Sequence, residues 1–450
     1  MDILAEAVAR HEKRTALDDG ARSWTYRELD EEVDGLAARL HAAGARPGTA
    51  VAILLHPGAR AVCAIHAVAR LGAVLAPLSP QLTRTERADA LEALGPAVVL
   101  DRRGPEPGPG GWKSSGQDVG AVLWTSGSAG AARGVLISRE ALRHSAAAVG
   151  ARLGLGADDR WYASLSVAHI GGLALVTRAA VHGSCVVARG RFRVDGMNEL
   201  VDAGSVTHVS LVPTMLHHAL AAREDRPPPP SLRCVLVGGA HTPAVLLDRA
   251  LAAGFPVALT YGLTEATSQV ATAAPDLVAR KRGTVGPPLD GVEVRVGRHG
   301  ELLVRGPTVA LGRLGDHRLV VDEEGWLYTG DRGTVDDEGH VYVTGRRSHR
   351  IVTGGVTVDP AEVEEVLRQR PGIEDVAVVG LPDAEWGELL VAVVIRRAGS
   401  ALDEAELDAA TRERLSSPKV PRRFIFVDSL PRNANGKLDR ARLSELIRQG

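Results

Sequence analysis

Short apolar runs alternate with amphipathic stretches near the start of this chain, and few architectures accommodate that alternation. Val51 to Leu55 reads as a strand, Ala59 to Leu71 as a helix with one apolar face, and Val74 to Leu78 as a second strand stopped by Pro77 and Pro80. Two strands joined through a helix lie parallel, because the crossover returns the chain to the same end of the sheet. The pattern therefore predicts a largely parallel sheet with helices on both faces. Ahead of it, Thr25 and Glu28 in Trp24-Thr25-Tyr26-Arg27-Glu28 have capping-box spacing, and Leu29, Val33, Leu36 and Leu40 follow at helical spacing up to Gly44.

From Asp101 to Gln117 the composition turns to Gly, Pro and charge, which reads as an exposed linker. Beyond it come a helix near Arg139 to Leu153, then strands near Trp161 to Leu165, Ser184 to Ala188 and Val206 to Leu211. A helix from Pro213 and a stiff connector at Pro227 to Pro230 follow. At 450 residues the chain has material for more than one domain. Its formal net charge of −2 argues against a nucleic-acid or membrane-surface protein and for small-molecule chemistry. Cys63, Cys185 and Cys234 stand far apart in apolar surroundings, as free thiols of a reducing, cytoplasmic setting would. The mixed charges of Met1 to Arg14 do not make a signal peptide, and no apolar run of about 18 residues suggests a membrane span.

Between the apolar runs Val119 to Trp124 and Val135-Leu136-Ile137 lies Thr125-Ser126-Gly127-Ser128-Ala129-Gly130, followed by Arg133. Glycines let backbone N–H groups turn inward on anionic oxygens, hydroxyls add donors, and Arg133 adds charge, so the loop suits a polyphosphate. A Gly/Ser-rich surface turn would look the same. Strand follows loop here, which differs from the strand-loop-helix order of a Walker site. Two further segments put glycine at a strand's carboxyl end, where doubly wound sheets hold ligands: Leu236-Val237-Gly238-Gly239-Ala240, and Tyr261-Gly262-Leu263-Thr264-Glu265 after the strand Val257 to Thr260. A planar base could lie against Tyr261, and Glu265 would be a hard oxygen ligand for magnesium carried on phosphates; alternatively Tyr261 is core and Glu265 caps a helix. In Trp326-Leu327-Tyr328-Thr329-Gly330-Asp331 the carboxylate can accept from both hydroxyls of a ribose, or serve as an ordinary turn aspartate. After the strand Val341 to Thr344, Gly345-Arg346-Arg347-Ser348-His349 and Gly354-Gly355 suggest a bend or hinge.

These segments recur together and in order in a known family. The chain resembles the adenylate-forming superfamily of acyl- and aryl-CoA synthetases, adenylation domains of peptide synthetases and beetle luciferases. The resemblance rests on the motifs above together with Arg133-Gly134-Val135, Val358-Asp359-Pro360-Ala361-Glu362 and Pro431-Arg432-Asn433-Ala434-Asn435-Gly436-Lys437. It spans nearly the whole chain. Within the superfamily, three stretches are similar to the family of 2-succinylbenzoate–CoA ligases of menaquinone biosynthesis: Ala168-His169-Ile170-Gly171-Gly172-Leu173 with Arg178, Val206-Thr207-His208-Val209-Ser210, and Thr267-Ser268-Gln269-Val270-Ala271-Thr272.

The resemblance implies an α/β fold: a large N-terminal domain of mostly parallel sheets flanked by helices, residues 1–345, and a small mobile C-terminal α+β domain, residues 346–450, carrying Lys437. It implies ATP, Mg2+ and coenzyme A as partners of a small carboxylic acid, with a homodimer as the macromolecular partner it allows. Thr125, Ser126, Gly127, Ser128, Gly130 and Arg133 would wrap the ATP phosphates. Tyr261, Gly262 and Gly239 would flank adenine, Thr264 would reach the α-phosphate, Glu265 would hold magnesium, and Asp331 and Arg346 would bind the ribose. His169, Arg178 and Ser268 would line the acid pocket, although a lone histidine amid apolar residues is also an ordinary core residue. Lys437, one of only five lysines, would bridge the acyl carboxylate and the α-phosphate; Gly354 and Gly355 would face the thiol, and Ser348 would be the hinge. A ligase for another aryl or acyl acid, an adenylation enzyme loading a carrier protein and a non-catalytic nucleotide-binding homologue are the alternatives. The last is suggested by Ala129 where the family often has Thr and by Ala132-Arg133 where it usually has Pro-Lys, since Arg and Lys are not equivalent at a phosphate. Ser348 and His349 also depart from the hinge residues common among relatives.

Overall fold

The computed structural model describes residues 2–82, 84–114, 118–125, 133–315, 319, 321–346, 351–353, 356–383, 386–415, 417–433 and 436–449. The expected crossover unit is present: Ala50–Ile53 runs parallel to Val74–Pro77 and to Val98–Leu100, with the helix Ala59–Arg70 joining the first two. Val74–Pro77 is in turn parallel to Val119–Thr125, which pairs antiparallel with Arg133–Ser138 so that Thr125 stands opposite Arg133.

A second sheet places the parallel strands Thr15–Asp18, Cys185–Val187, Arg160–Tyr162, His208–Leu211, Cys234–Val237 and Val257–Leu263 side by side, with antiparallel Ser268–Ala273 on one edge and Ser23–Thr25 on the other. The helices Tyr26–Ala42, Ala59–Arg70 and Ile170–His182 share one apolar core with both sheets, in which Val33, Leu36, Ile65, Leu173 and Val176 meet Val51, Ile53, Ile137, Leu17 and Val186. The first of these helices starts as its sequence predicts. The Thr25 hydroxyl accepts from the Glu28 N–H at 3.2 Å, the Glu28 carboxylate accepts from the Thr25 N–H at 2.7 Å, and Leu29, Val33, Leu36 and Leu40 are the buried face.

Two expectations are corrected. The stretch from Asp101 is not simply an exposed linker, because Pro105–Pro107 pairs antiparallel with Val98–Leu100 and Gly108 donates to the Ala97 carbonyl at 2.9 Å. Prolines are tolerated there because this is the sheet's edge, where a missing N–H costs no ladder bond. The strand expected to reach Leu165 ends at Tyr162, since the Ser164 N–H turns back onto the Tyr162 carbonyl at 3.0 Å and releases the chain toward the next helix.

An antiparallel sheet of Glu293–Val296, Glu301–Arg305, Leu327–Val335 and Val341–Arg346 follows. Residues beyond it build a separate sheet from Ile351–Thr353, Val356–Val358, Ile373–Asp383, Gly387–Arg396 and Arg423–Phe426. Strand alternation gives that sheet two apolar faces: Val376 and Val378 pack with Val363, Leu367 and Leu407, whereas Ala377 and Val379 pack with Leu443. Cys63, Cys185 and Cys234 are free thiols. Among the described residues no helix is long and apolar enough to cross a membrane.

Candidate active site

The carboxyl ends of the second sheet's parallel strands open onto loops whose glycines have identifiable tasks. Gly239, just past Cys234–Val237, has φ of +80°, a left-handed conformation that favours glycine. Gly262 is required by packing: a Cβ there would lie 1.7 Å from the Ser268 carbonyl oxygen, where the register between Val257–Leu263 and Ser268–Ala273 shifts. Gly172 lets the first turn of Ile170–His182 press against the chain at Ser166, since a Cβ would come 2.2 Å from that carbonyl oxygen.

Three groupings of the expected residues are formed. The Tyr261 hydroxyl donates to Asp331 Oδ2 at 2.9 Å, and Asp331 stands directly across the ladder from Arg346. The Thr329 hydroxyl sets that aspartate by accepting its N–H at 3.0 Å while donating to the Leu302 carbonyl at 2.7 Å. Second, Thr264–Ala266 forms a single 3-10 turn that presents Glu265, and the two residues after it, Thr267 and Ser268, have φ of +49° and +90°. Such conformations cost roughly 1–3 kcal/mol each and persist where surroundings enforce them; here the Thr267 hydroxyl is tied to the Thr308 carbonyl at 2.6 Å. Third, Lys437 sits beside Gly239, its Cε 3.7 Å from where a Cβ would be. The turn that delivers it is closed by Asn433, whose side chain accepts the Lys437 N–H at 3.1 Å and whose N–H donates to the Lys437 carbonyl at 2.8 Å.

His169 flanks the same cleft, and its Nε2 is buried without a partner among the described residues. Burial first, and the Lys437 charge second, push it down to about 4, so it is neutral at pH 7. Arg178 is placed differently. It lies nine residues along the helix that His169 caps, roughly 13 Å at the usual rise, near the amino ends of the strands, with its guanidinium 4.6 Å from the Trp161 ring centroid. It is 2 % exposed, burial pushes it down to about 10, and among the described residues it has neither a carboxylate partner nor a hydrogen bond.

Residues Ser126, Gly127, Ser128, Gly130, Ser348, Gly354 and Gly355, and the side chains of Arg133 and Arg346, lie outside the described residues. Sequence reasoning missed Arg313. Its guanidinium lies 3.7 Å from the Glu265 carboxylate, and its strand, Gly312–Arg313, pairs with the strand leaving the glycine loop. With so many arginines in the chain, no local signal marks this one. Among the described residues no group of three or more His, Cys, Asp or Glu side chains is gathered to hold a metal. A single carboxylate such as Glu265 fits a magnesium ion that brings phosphate and water ligands with it.

A doubly wound nucleotide-type sheet, a Tyr–Asp pair in front of it and a lysine delivered from a separate C-terminal sheet are what one family of enzymes combines. Residues 4–107 and 105–313 match the AMP-binding enzyme family and residues 362–437 match the AMP-binding enzyme C-terminal domain, and the chain belongs to that family. Its relatives include the 2-succinylbenzoate–CoA ligase of Bacillus pumilus, 35% identical with 96% of this chain and 95% of the relative covered. The o-succinylbenzoate–CoA synthetase of Bacillus subtilis in complex with its acyl-adenylate intermediate superposes with a TM-score of 0.88 at 32% identity, over 98% of this chain and 97% of the other. A doubly substituted form of that synthetase, bound with a CoA product analogue, superposes with a TM-score of 0.72 at 31% identity, over 99% and 98% of the two chains.

Proposed function

We propose that this protein is an ATP-dependent acid–CoA ligase acting on 2-succinylbenzoate in menaquinone biosynthesis, with ATP, Mg2+ and coenzyme A as its other reactants. The observation that carries the reading is Lys437 standing beside Gly239 and His169, which supports one cation acting between the proposed nucleotide site and the proposed acid pocket. In the first step a carboxylate oxygen of the acid attacks the α-phosphorus of ATP and pyrophosphate leaves. Lys437 neutralises both reacting groups as negative charge builds between them. Tyr261 and Gly239 flank the adenine, Asp331 and Arg346 take the ribose hydroxyls, Thr264 reaches the α-phosphate, and the loop from Thr125 to Arg133 wraps the phosphates. Glu265 would hold magnesium, which would screen the phosphate charge. In the second step the thiolate of coenzyme A attacks the acyl carbon and AMP leaves.

Because two nucleophiles use one cleft in turn, residues 346–450 act as a mobile domain that turns about Ser348, presenting Lys437 first and the Gly354-Gly355 face second. Family structures bound to the adenylate and to the CoA product analogue superpose unequally on this chain, which supports two arrangements. Arg178, whose buried charge has no partner among the described residues, is the proposed partner of the acid's second carboxylate. Ser268 lines the same pocket. A cytoplasmic location and a homodimer complete the proposal, the latter checked by light scattering. Acid-dependent pyrophosphate release across a panel of acids, with and without CoA, tests the activity. Equal or faster release with a medium-chain fatty acid would overturn the choice of acid, and equal thioester yield on a carrier-protein thiol would overturn the choice of acceptor.

A further inference from the structure

The loop from Gly238 to Ala244 receives the C-terminal sheet's elements at two points. Lys437 lies beside it at Gly239, as described above. Glu365, on the helix Pro360–Arg368, reaches it two residues further on, with Oε2 3.5 Å from His241 Nε2. Beyond His241 the helix Ala244–Ala252 begins at Pro243 with no side-chain cap among the described residues. The Glu365 carboxylate lies near this helix start, with its Oε1 buried and without a hydrogen-bond partner among the described residues; His241 first, with Arg368 and the Ala244 N–H adding to it, pulls the carboxylate below its usual range against the effect of burial. A carboxylate at a helix N-terminus gains from the aligned peptide dipoles.

Glu365 lies outside the apolar core formed by Val363, Leu367, Val376 and Val378. The neighbouring Glu364 on the same helix ties that helix to the C-terminal sheet, accepting the Val378 N–H at 2.8 Å. Two adjacent glutamates thus face opposite ways, one inward to its own sheet and one across to the Gly238–Ala244 loop.

We infer that Glu365 is a positioning residue for adenylate formation, an acidic latch that docks on His241 and the Ala244 helix start and so holds Lys437 at the cleft. The inference rests on the proposed two-step reaction. Thioester formation requires the C-terminal sheet to leave this dock, so the latch contributes to the first step alone. Breaking a partly buried charge-assisted contact weakens the docked arrangement about fivefold to tenfold.

The experiment separates the half-reactions. Glu365→Gln keeps the shape and removes the charge; it should lower kcat for acid-dependent pyrophosphate release roughly fivefold or more, with the KM for ATP little changed, and leave thioester formation from preformed acyl-adenylate and CoA unchanged or faster. His241→Asn should do the same, and the double variant should be no worse than either single one. A second readout needs no turnover: spin labels on Val296→Cys and Leu446→Cys, both exposed, report the distance between the two parts of the chain. Glu365→Gln should broaden that distribution in the nucleotide-free protein. Equal loss in both half-reactions, no loss in either, additive effects of the two substitutions, or an unchanged distance distribution would each overturn the latch. A wild-type enzyme inactive toward 2-succinylbenzoate would overturn the substrate reading, while the spin-label distances would still decide on the latch.

Discussion

Arg178 carries a charge into a region where no described acceptor meets it, and an unpaired buried cation costs several kcal/mol in a folded protein. If the charge serves a substrate carboxylate, its removal harms binding and relieves the apo fold. Arg178→Met should therefore lower kcat/KM for 2-succinylbenzoate by roughly 100-fold, about 2.8 kcal/mol, while the urea midpoint stays level or rises. A variant that unfolds more easily and loses all acids alike would mark Arg178 as structural. Lys437 is proposed to make the opposite case, a charge placed where it acts on the reaction. Lys437→Ala should cut pyrophosphate release by about a thousandfold, on the scale of losing one preorganised charge, and still convert synthetic acyl-adenylate and CoA to thioester. Loss of both steps would show that Lys437 is needed beyond adenylate formation.

Among the elements, the hairpin of Val257–Leu263 and Ser268–Ala273 sets Tyr261 and Glu265 together, and its geometry depends on Gly262. An alanine Cβ would overlap the Ser268 carbonyl at 1.7 Å, and backbone cannot yield as a flexible side chain can. Gly262→Ala should destabilise the protein by more than about 3 kcal/mol by urea unfolding, whereas Gly156→Ala, with nothing within 4 Å of the added carbon, should stay within about 0.5 kcal/mol. Equal effects would mean that the hairpin shifts to admit the methyl group. The capping box at Thr25 and the apolar face after it were legible in sequence because both depend on neighbours three and four residues apart. The edge strand Pro105–Pro107 was not, because Pro and Gly are as common in linkers as at sheet edges, and only the neighbouring strand tells them apart.

For the whole molecule, pH dependence follows from histidines buried as neutral rings. Burial pushes His66 down to about 4, and burial with the Lys437 charge does the same to His169. With folded values below the unfolded value near 6.5, the unfolded chain takes up protons first as the pH falls. Stability from these groups is therefore complete above about pH 6.5 and is lost progressively toward pH 4, by up to about 1.4 kcal/mol per pH unit for each ring. The urea midpoint should be level between pH 7 and 8 and should fall between pH 6 and 4.5; a midpoint that rises on acidification would contradict the buried neutral state. The same values keep His169 uncharged throughout the physiological range, so pH profiles of pyrophosphate release near neutrality should carry no ionisation from it.

Sequence alone was enough for the parallel α/β layout, the order of the motifs and the membership of the family, because periodicity, caps and short glycine segments are local and survive in one dimension. It also named Tyr261 and Asp331, separated by 70 positions, as parts of one nucleoside site through resemblance; the folded chain joins them by a hydrogen bond. Pairings between strands and between the two ends of the chain had to come from the tertiary structure. Arg313 beside Glu265, Glu365 against His241 and the lack of a partner for Arg178 among the described residues depend on parts of the chain far apart in sequence. A charge declares itself in sequence, but whether it is neutralised, and by what, depends on which surfaces the fold brings into contact.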